Sequence, residues 1–151
     1  MHLLRPRETV HSILEIDFER LLRQGMTTVL FDLDQTLKER GLADMEPAVL
    51  ALLERLDTIG LRVGILTNRR HNGDPLLDAL GGRYPLRHTA RKPWKRGFLS
   101  LLQELGASPQ QAVMVGDRLL TDVLGANRLG IYSIRVLPPR RRPRRGRHPP
   151  A

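Results

Sequence analysis

"FDLDQTL", residues 31–37, sets two aspartates two positions apart at the end of an apolar run, "TTVLFDLD" (27–34). Val29, Leu30, Phe31 and Leu33 predict a buried strand over that run. Ionised carboxylates are costly to bury unless something pairs with them. Side chains alternate along an extended segment, so Asp32 and Asp34 are expected to face the same way. Like charges at that separation push each other's pKa upward unless a cation or a proton lies between them. The pattern therefore points to a strand end that carries chemistry.

Outward from this stretch, apolar segments alternate between the two periodicities. "PAVLALLERLDTIG" (47–60) predicts a helix with Pro47 in its first turn and Gly60 at its end. "LRVGILTN" (61–68) predicts a second strand, "GDPLLDALGG" (73–82) a short helix, and "YPLRHTA" (84–90) a weak strand. A helix over 94–107, a strand over 111–117, a helix over 119–130 and a last strand over 131–137 follow. The first 25 residues are expected to hold a helix packed on this unit. Strand–helix alternation with short connections implies an α/β fold, a parallel sheet of about five strands with helices on both faces. Ligands of such sheets bind outside the carboxyl ends of the strands, where the strand order switches. Asp32 and Asp34, Thr67 and Asn68, and Gly116 and Asp117 all fall at those ends.

Paired carboxylates there suit a magnesium ion, which prefers oxygen ligands and commonly takes one or two carboxylates, water and a substrate phosphate. Asp117 supplies a further oxygen. For phosphoryl transfer, one carboxylate can attack phosphorus while a second handles the proton of the leaving oxygen. Charge on the phosphoryl oxygens needs cationic and hydrogen-bonding partners, for which Lys92, Thr67 and backbone N–H groups are candidates.

"DLDQT" (32–36) resembles the DxDxT motif of the haloacid-dehalogenase (HAD) phosphatases. "ILTN" (65–68), "RKP" (91–93) and "GDRLLTD" (116–122) resemble their second, third and fourth motifs, in order and spacing. The block "VGDRLLTDVLGANRLGIYSIRV" (115–136) is similar to the YqeG branch of HAD subfamily IIIA, related to the phosphatidylglycerophosphatases of mitochondria and plastids. The resemblance spans about residues 9–137. It implies a three-layer α/β/α Rossmann-like fold and Mg2+ as cofactor. By the same resemblance Asp32 is the nucleophile and a metal ligand. Asp34 is the general acid/base and a metal ligand through its backbone carbonyl, and Asp117 is a metal ligand. Thr67 and Asn68 face the substrate. Lys92 offsets charge between Asp32 and the phosphate, and Asp122 assists through water or Lys92. Arg69 and Arg70 depart from the smaller polar residues expected of this branch, and "KERGLADMEP" (38–47) is more charged than a typical flap. The intervals where HAD caps are inserted are too short here for a separate cap domain. The resulting open site would admit a phosphate presented on a membrane or a macromolecule.

Composition fits a cytoplasmic globular domain: 151 residues, 40% hydrophobic, no cysteine, and no apolar run long enough to span a bilayer. The absence of cysteine excludes disulfides and cysteine–zinc sites. A catalytic domain over 1–137 is expected to be followed by a disordered Arg/Pro-rich tail over 138–151. Taking that tail's six arginines from the formal charge of +9 leaves +3 on the rest. The tail suits anionic lipid at the inner membrane face, or RNA. The five histidines lack metal-ligand spacing, and Trp94 is expected to pack at a helix start. No dinucleotide or P-loop pattern occurs. The leading substrate is phosphatidylglycerophosphate. The alternatives are a soluble sugar phosphate, a nucleic-acid end, or a catalytically weak domain that binds RNA, ribosomes or membrane; oligomeric state is left open.

Overall fold

The structure is a computed structural model that describes residues 2–38 and 45–138. The expected tail, save Pro138, and most of the charged flap lie outside the described residues. Strands β1 (Glu8–Val10), β2 (Thr28–Phe31), β3 (Arg62–Leu66), β4 (Leu86–Arg87), β5 (Ala112–Gly116) and β6 (Tyr132–Val136) form one sheet in the order β1-β6-β5-β2-β3-β4. Every pairing is parallel, with Phe31 opposite Ile65 on one side and Val115 on the other. Helices α1 (Phe18–Arg23), α2 (Pro47–Ile59), α3 (Pro75–Gly81), α4 (Lys95–Leu105) and α5 (Leu124–Leu129) make the connections.

Alternation along β2 sorts the helices into two layers. Val29 and Phe31 face a core with Phe18 and Leu21 of α1, Leu53 and Leu56 of α2, and Leu77 and Leu80 of α3. Leu30 faces the opposite core with Phe98, Leu101, Leu102 and Leu105 of α4 and Ala126 of α5. Residues 29, 30 and 31 are all fully buried, which matches the continuous apolar run expected of a central parallel strand. On β3, Gly64 allows α4 to close down: a Cβ there would lie 2.7 Å from Leu105 Cδ1. Between β3 and α4 the chain builds only α3 and β4, so no separate cap domain is inserted there.

The structure differs from the sequence expectations at four places. The sheet has a sixth strand, β1, laid on the outer edge of β6. Strand β2 ends at Phe31 rather than at Asp34, because residues 33–37 form a turn in which Leu33 O accepts from the N–H groups of Thr36, Leu37 and Lys38. The helix expected over 119–130 opens with a wide π-type turn, Leu119–Val123, before α5. Trp94, expected to pack, is 66% exposed at the N-cap of α4. No described helix is long and apolar enough to cross a membrane.

Candidate active site

The central strand β2 has β3 on one side and β5 on the other, so the strand order switches at its carboxyl end. Asp32 follows β2, Thr67 follows β3, and Asp117 follows β5. Asp32 continues the ladder for one residue, its N–H donating to Val115 O at 2.9 Å. The chain then turns through Gln35, which has φ +63°. That turn invalidates the simple alternation argument for Asp32 and Asp34, yet both carboxylates still line one pocket of about 230 Å³ with Thr67, Asn68, Arg69, Lys92, Arg118 and Thr121.

Lys92 ties the deep end together. Its Nζ donates to Asp32 Oδ1 at 2.8 Å, to Asp122 Oδ1 at 2.7 Å and to Leu66 O at 2.9 Å. All three ammonium protons are thus used within the protein. Lys92, Asp32 and Asp122 are all buried. Burial would lower the lysine's pKa, but the charges of Asp122 and Asp32 outweigh it and hold the ammonium above its ordinary value. Burial pushes Asp32 up to about 7 against the pull of Lys92, with Asp122 and Asp117 adding to the rise. Asp117 is raised too, by burial and by the nearby Asp122.

Two glimpses of local chain design explain how these groups meet. Asn68 brackets the backbone of Lys92: its Oδ1 accepts from Lys92 N at 2.7 Å and its Nδ2 donates to Lys92 O at 3.3 Å. Asn68, expected at the substrate, lines the pocket, and its amide is engaged on the Lys92 backbone, a positioning task. Gly116 lets Asp122 approach, since a Cβ on Gly116 would lie 2.3 Å from the Asp122 carboxyl carbon. Asp122 also accepts from Arg118 N at 3.2 Å. Its bond to Lys92 is direct, without the need for a water. The Thr67 hydroxyl is buried and accepts from Arg69 N at 3.1 Å. Asp34 stands apart: its side chain is half exposed and its Oδ1 lies 3.9 Å from Arg69 Nη1.

The donor set fits a hard divalent cation. Carboxylate oxygens of Asp32, Asp117 and Asp122 lie within 4.8 Å of one another. Asp117 Oδ1 is buried without a hydrogen-bond partner, an oxygen left for a cation. The carboxylate of Asp34 is not part of this cluster.

The family model "Hydrolase: haloacid dehalogenase-like hydrolase" matches residues 12–130. The chain is 32% identical to "Probable phosphatase YqeG" of Bacillus subtilis over 88% of its own length and 77% of that protein's. It is also 32% identical to "Phosphatidylglycerophosphate phosphatase 1, chloroplastic" of Chlamydomonas reinhardtii, of which it spans 52%. Among solved structures, a HAD phosphatase from Thermococcus onnurineus is 28% identical, with a TM-score of 0.55 over 70% of this chain and 51% of that one. A subfamily IA HAD hydrolase from Geobacter sulfurreducens shares the fold at a TM-score of 0.59 with 18% identity, covering 73% and 89% of the two chains. The parallel sheet, the residues gathered at its switch point and these likenesses agree: the chain belongs to the haloacid dehalogenase-like hydrolases and is a phosphatase of that superfamily.

Proposed function

We propose that this chain is a magnesium-dependent phosphomonoester hydrolase working through an aspartyl-phosphate on Asp32, with phosphatidylglycerophosphate as its substrate. The observation that carries the mechanism is the buried group of Lys92, Asp32 and Asp122 beside the unpartnered oxygen of Asp117. In the first step an Asp32 carboxylate oxygen bonds to phosphorus as the ester P–O bond breaks. Asp34, half exposed at the pocket mouth, gives its proton to the leaving oxygen. Asp34 then takes a proton from water as that water's oxygen bonds to phosphorus, the bond to Asp32 breaks, and inorganic phosphate leaves. Thr67 holds a phosphoryl oxygen, and Lys92 offsets charge on Asp32 throughout. Magnesium held by Asp32, Asp117 and the Asp34 carbonyl would offset phosphoryl charge and favour ionised carboxylates.

The lipid substrate is supported by the chloroplast relative named above and by a 29% identical Arabidopsis thaliana protein with the same activity in its name, of which the chain spans 40%. Among the described residues no cap domain covers the site, which suits a headgroup presented at a membrane face. A soluble domain touching that face from the cytoplasm fits the reading, with tail residues 138–151 as a second contact to anionic lipid.

Hydrolysis of p-nitrophenyl phosphate with magnesium tests the chemistry. Asp32→Asn is expected to lose about 10⁴-fold or more of the rate, and equal rates would remove Asp32 as nucleophile. Magnesium is expected to raise the melting temperature of wild type and not of Asp117→Asn, a readout independent of turnover. Phosphatidylglycerophosphate in mixed vesicles should be preferred to soluble sugar phosphates and to phosphorylated nucleic-acid ends; no preference overturns the lipid assignment.

A further inference from the structure

We infer that Arg69 forms a second anion subsite, so that the substrate is a phosphomonoester whose alcohol portion carries another negative group, a phosphodiester or a carboxylate, close to the ester. This rests on the phosphatase reading above. Arg69 is held in place rather than loose. Its Nε lies 3.3 Å from Asp74 Oδ2, and Asp74 is itself fixed as the N-cap of α3, accepting from Leu76 N at 2.9 Å. Its Nη1 is withdrawn from solvent with no hydrogen-bond partner. Asp34 Oδ1, at 3.9 Å, is within ion-pair range but too far for a hydrogen bond. A donor without a partner costs free energy, and because the Arg69 side chain is a third exposed where it lines the pocket, a small rotation of the guanidinium lets an incoming acceptor recover it.

The pocket's other cations sharpen the assignment. Lys92 spends its three protons on Asp32, Asp122 and Leu66 O, so it has no donor left for a second group. Arg69 and Arg118 line the same pocket, Arg69 with Asp74 on its Nε side and its Nη1 left without a hydrogen bond. Arg69 stands beside Asp34, the residue placed at the leaving oxygen, so the partner of its free donor belongs to the leaving alcohol rather than to the transferred phosphoryl group. A guanidinium fork matches a phosphodiester or carboxylate better than an ammonium would. Arg70, the next residue, is exposed and not among those lining the pocket.

The test compares kcat/KM of the full chain on four substrates: phosphatidylglycerophosphate in mixed vesicles, 2-phosphoglycolate, glycerol 3-phosphate and p-nitrophenyl phosphate. Wild type should prefer at least one of the two substrates with a second anion over glycerol 3-phosphate by tenfold or more. Arg69→Gln should cut that ratio at least tenfold, chiefly through KM, with partial recovery in Arg69→Lys and no change of ratio in Arg70→Gln. A loss confined to the phosphodiester assigns the subsite to a lipid headgroup, and one confined to the carboxylate assigns it to a soluble acid. An equal fall on all four substrates, no fall at all, or a wild type without the preference would overturn the proposal. Where the loss includes the carboxylate substrate, wild type gives an independent reading: phosphonoacetate should inhibit at least tenfold more strongly than methylphosphonate, and equal inhibition then overturns the subsite. Failure of the phosphatase reading shows instead as Asp32→Asn matching wild type on p-nitrophenyl phosphate.

Discussion

Two groups of charged side chains hold distant parts of this molecule together, and they are built differently. On the outer edge of the sheet, Glu8 of β1 accepts from Arg20 Nη2 at 2.7 Å through both carboxylate oxygens, and from Tyr132 OH at 2.6 Å. One acid meets one base and one hydroxyl, and the group closes on itself. At the switch point, one base, Lys92, faces Asp32 and Asp122 with Asp117 close by, and an oxygen of Asp117 has no partner. The edge group is partly open to solvent, with side-chain exposures of 33% and 26% for Arg20 and Glu8, whereas those of Lys92 and Asp122 are 2% and 1%. Structural ion pairs balance their charges locally. An excess of buried acid over base calls for a further cation or a proton between the carboxylates.

The largest difference between the groups should appear when each loses one partner. Lys92→Met leaves buried carboxylates facing each other without a base and is expected to cost about 3–5 kcal/mol in urea unfolding. Magnesium should return part of that loss if the acidic cluster takes the cation. A cost no larger than that of breaking the edge pair would erase the contrast drawn between the two regions.

Gly116→Ala tests the same site without removing a charge. The new Cβ would sit 2.3 Å from Asp122 Cγ and Oδ2, so the carboxylate must leave its place against Lys92. Overpacking of this kind costs about 1–3 kcal/mol. Misplacement of the charges around Asp32 should lower turnover of p-nitrophenyl phosphate by about 10²-fold. Turnover equal to wild type would mean that Asp122 does not position Lys92 for the reaction.

These contacts also mark how far the sequence could be read. The buried strands and the motifs at their carboxyl ends were legible because apolar runs and short polar signatures are local. The three-residue β1, "ETV", was not: so short a run carries no periodicity, and its pairing with β6 joins residues more than a hundred positions apart. Lys92 and Asp122 were recognisable as residues of interest, but their bond spans thirty positions and depends on the wide turn at Leu119–Val123, which looks like ordinary helix in sequence. Asn68 grips the Lys92 backbone across 24 positions, again invisible to local pattern. Trp94 turns out to solvent, which hydrophobicity alone does not reveal for a side chain at a helix start.

The smallest expected effect belongs to the edge group, and it carries a pH signature. Burial raises the pKa of Glu8, but the hydrogen bonds from Arg20 and Tyr132 outweigh it and hold the carboxyl below its ordinary value of 4.5. A carboxyl depressed by folding contributes stability above its unfolded pKa and loses it as pH falls through the folded value. Glu8→Gln should therefore cost about 1 kcal/mol at neutral pH, the scale of a partly exposed ion pair. The gap between wild type and variant should close as the pH is lowered well below 4.5. A gap that stays constant over that range would show that Glu8 acts by packing β1 against α1 rather than by its charge, and the edge group would then no longer serve as a charge-balanced counterpart to the site.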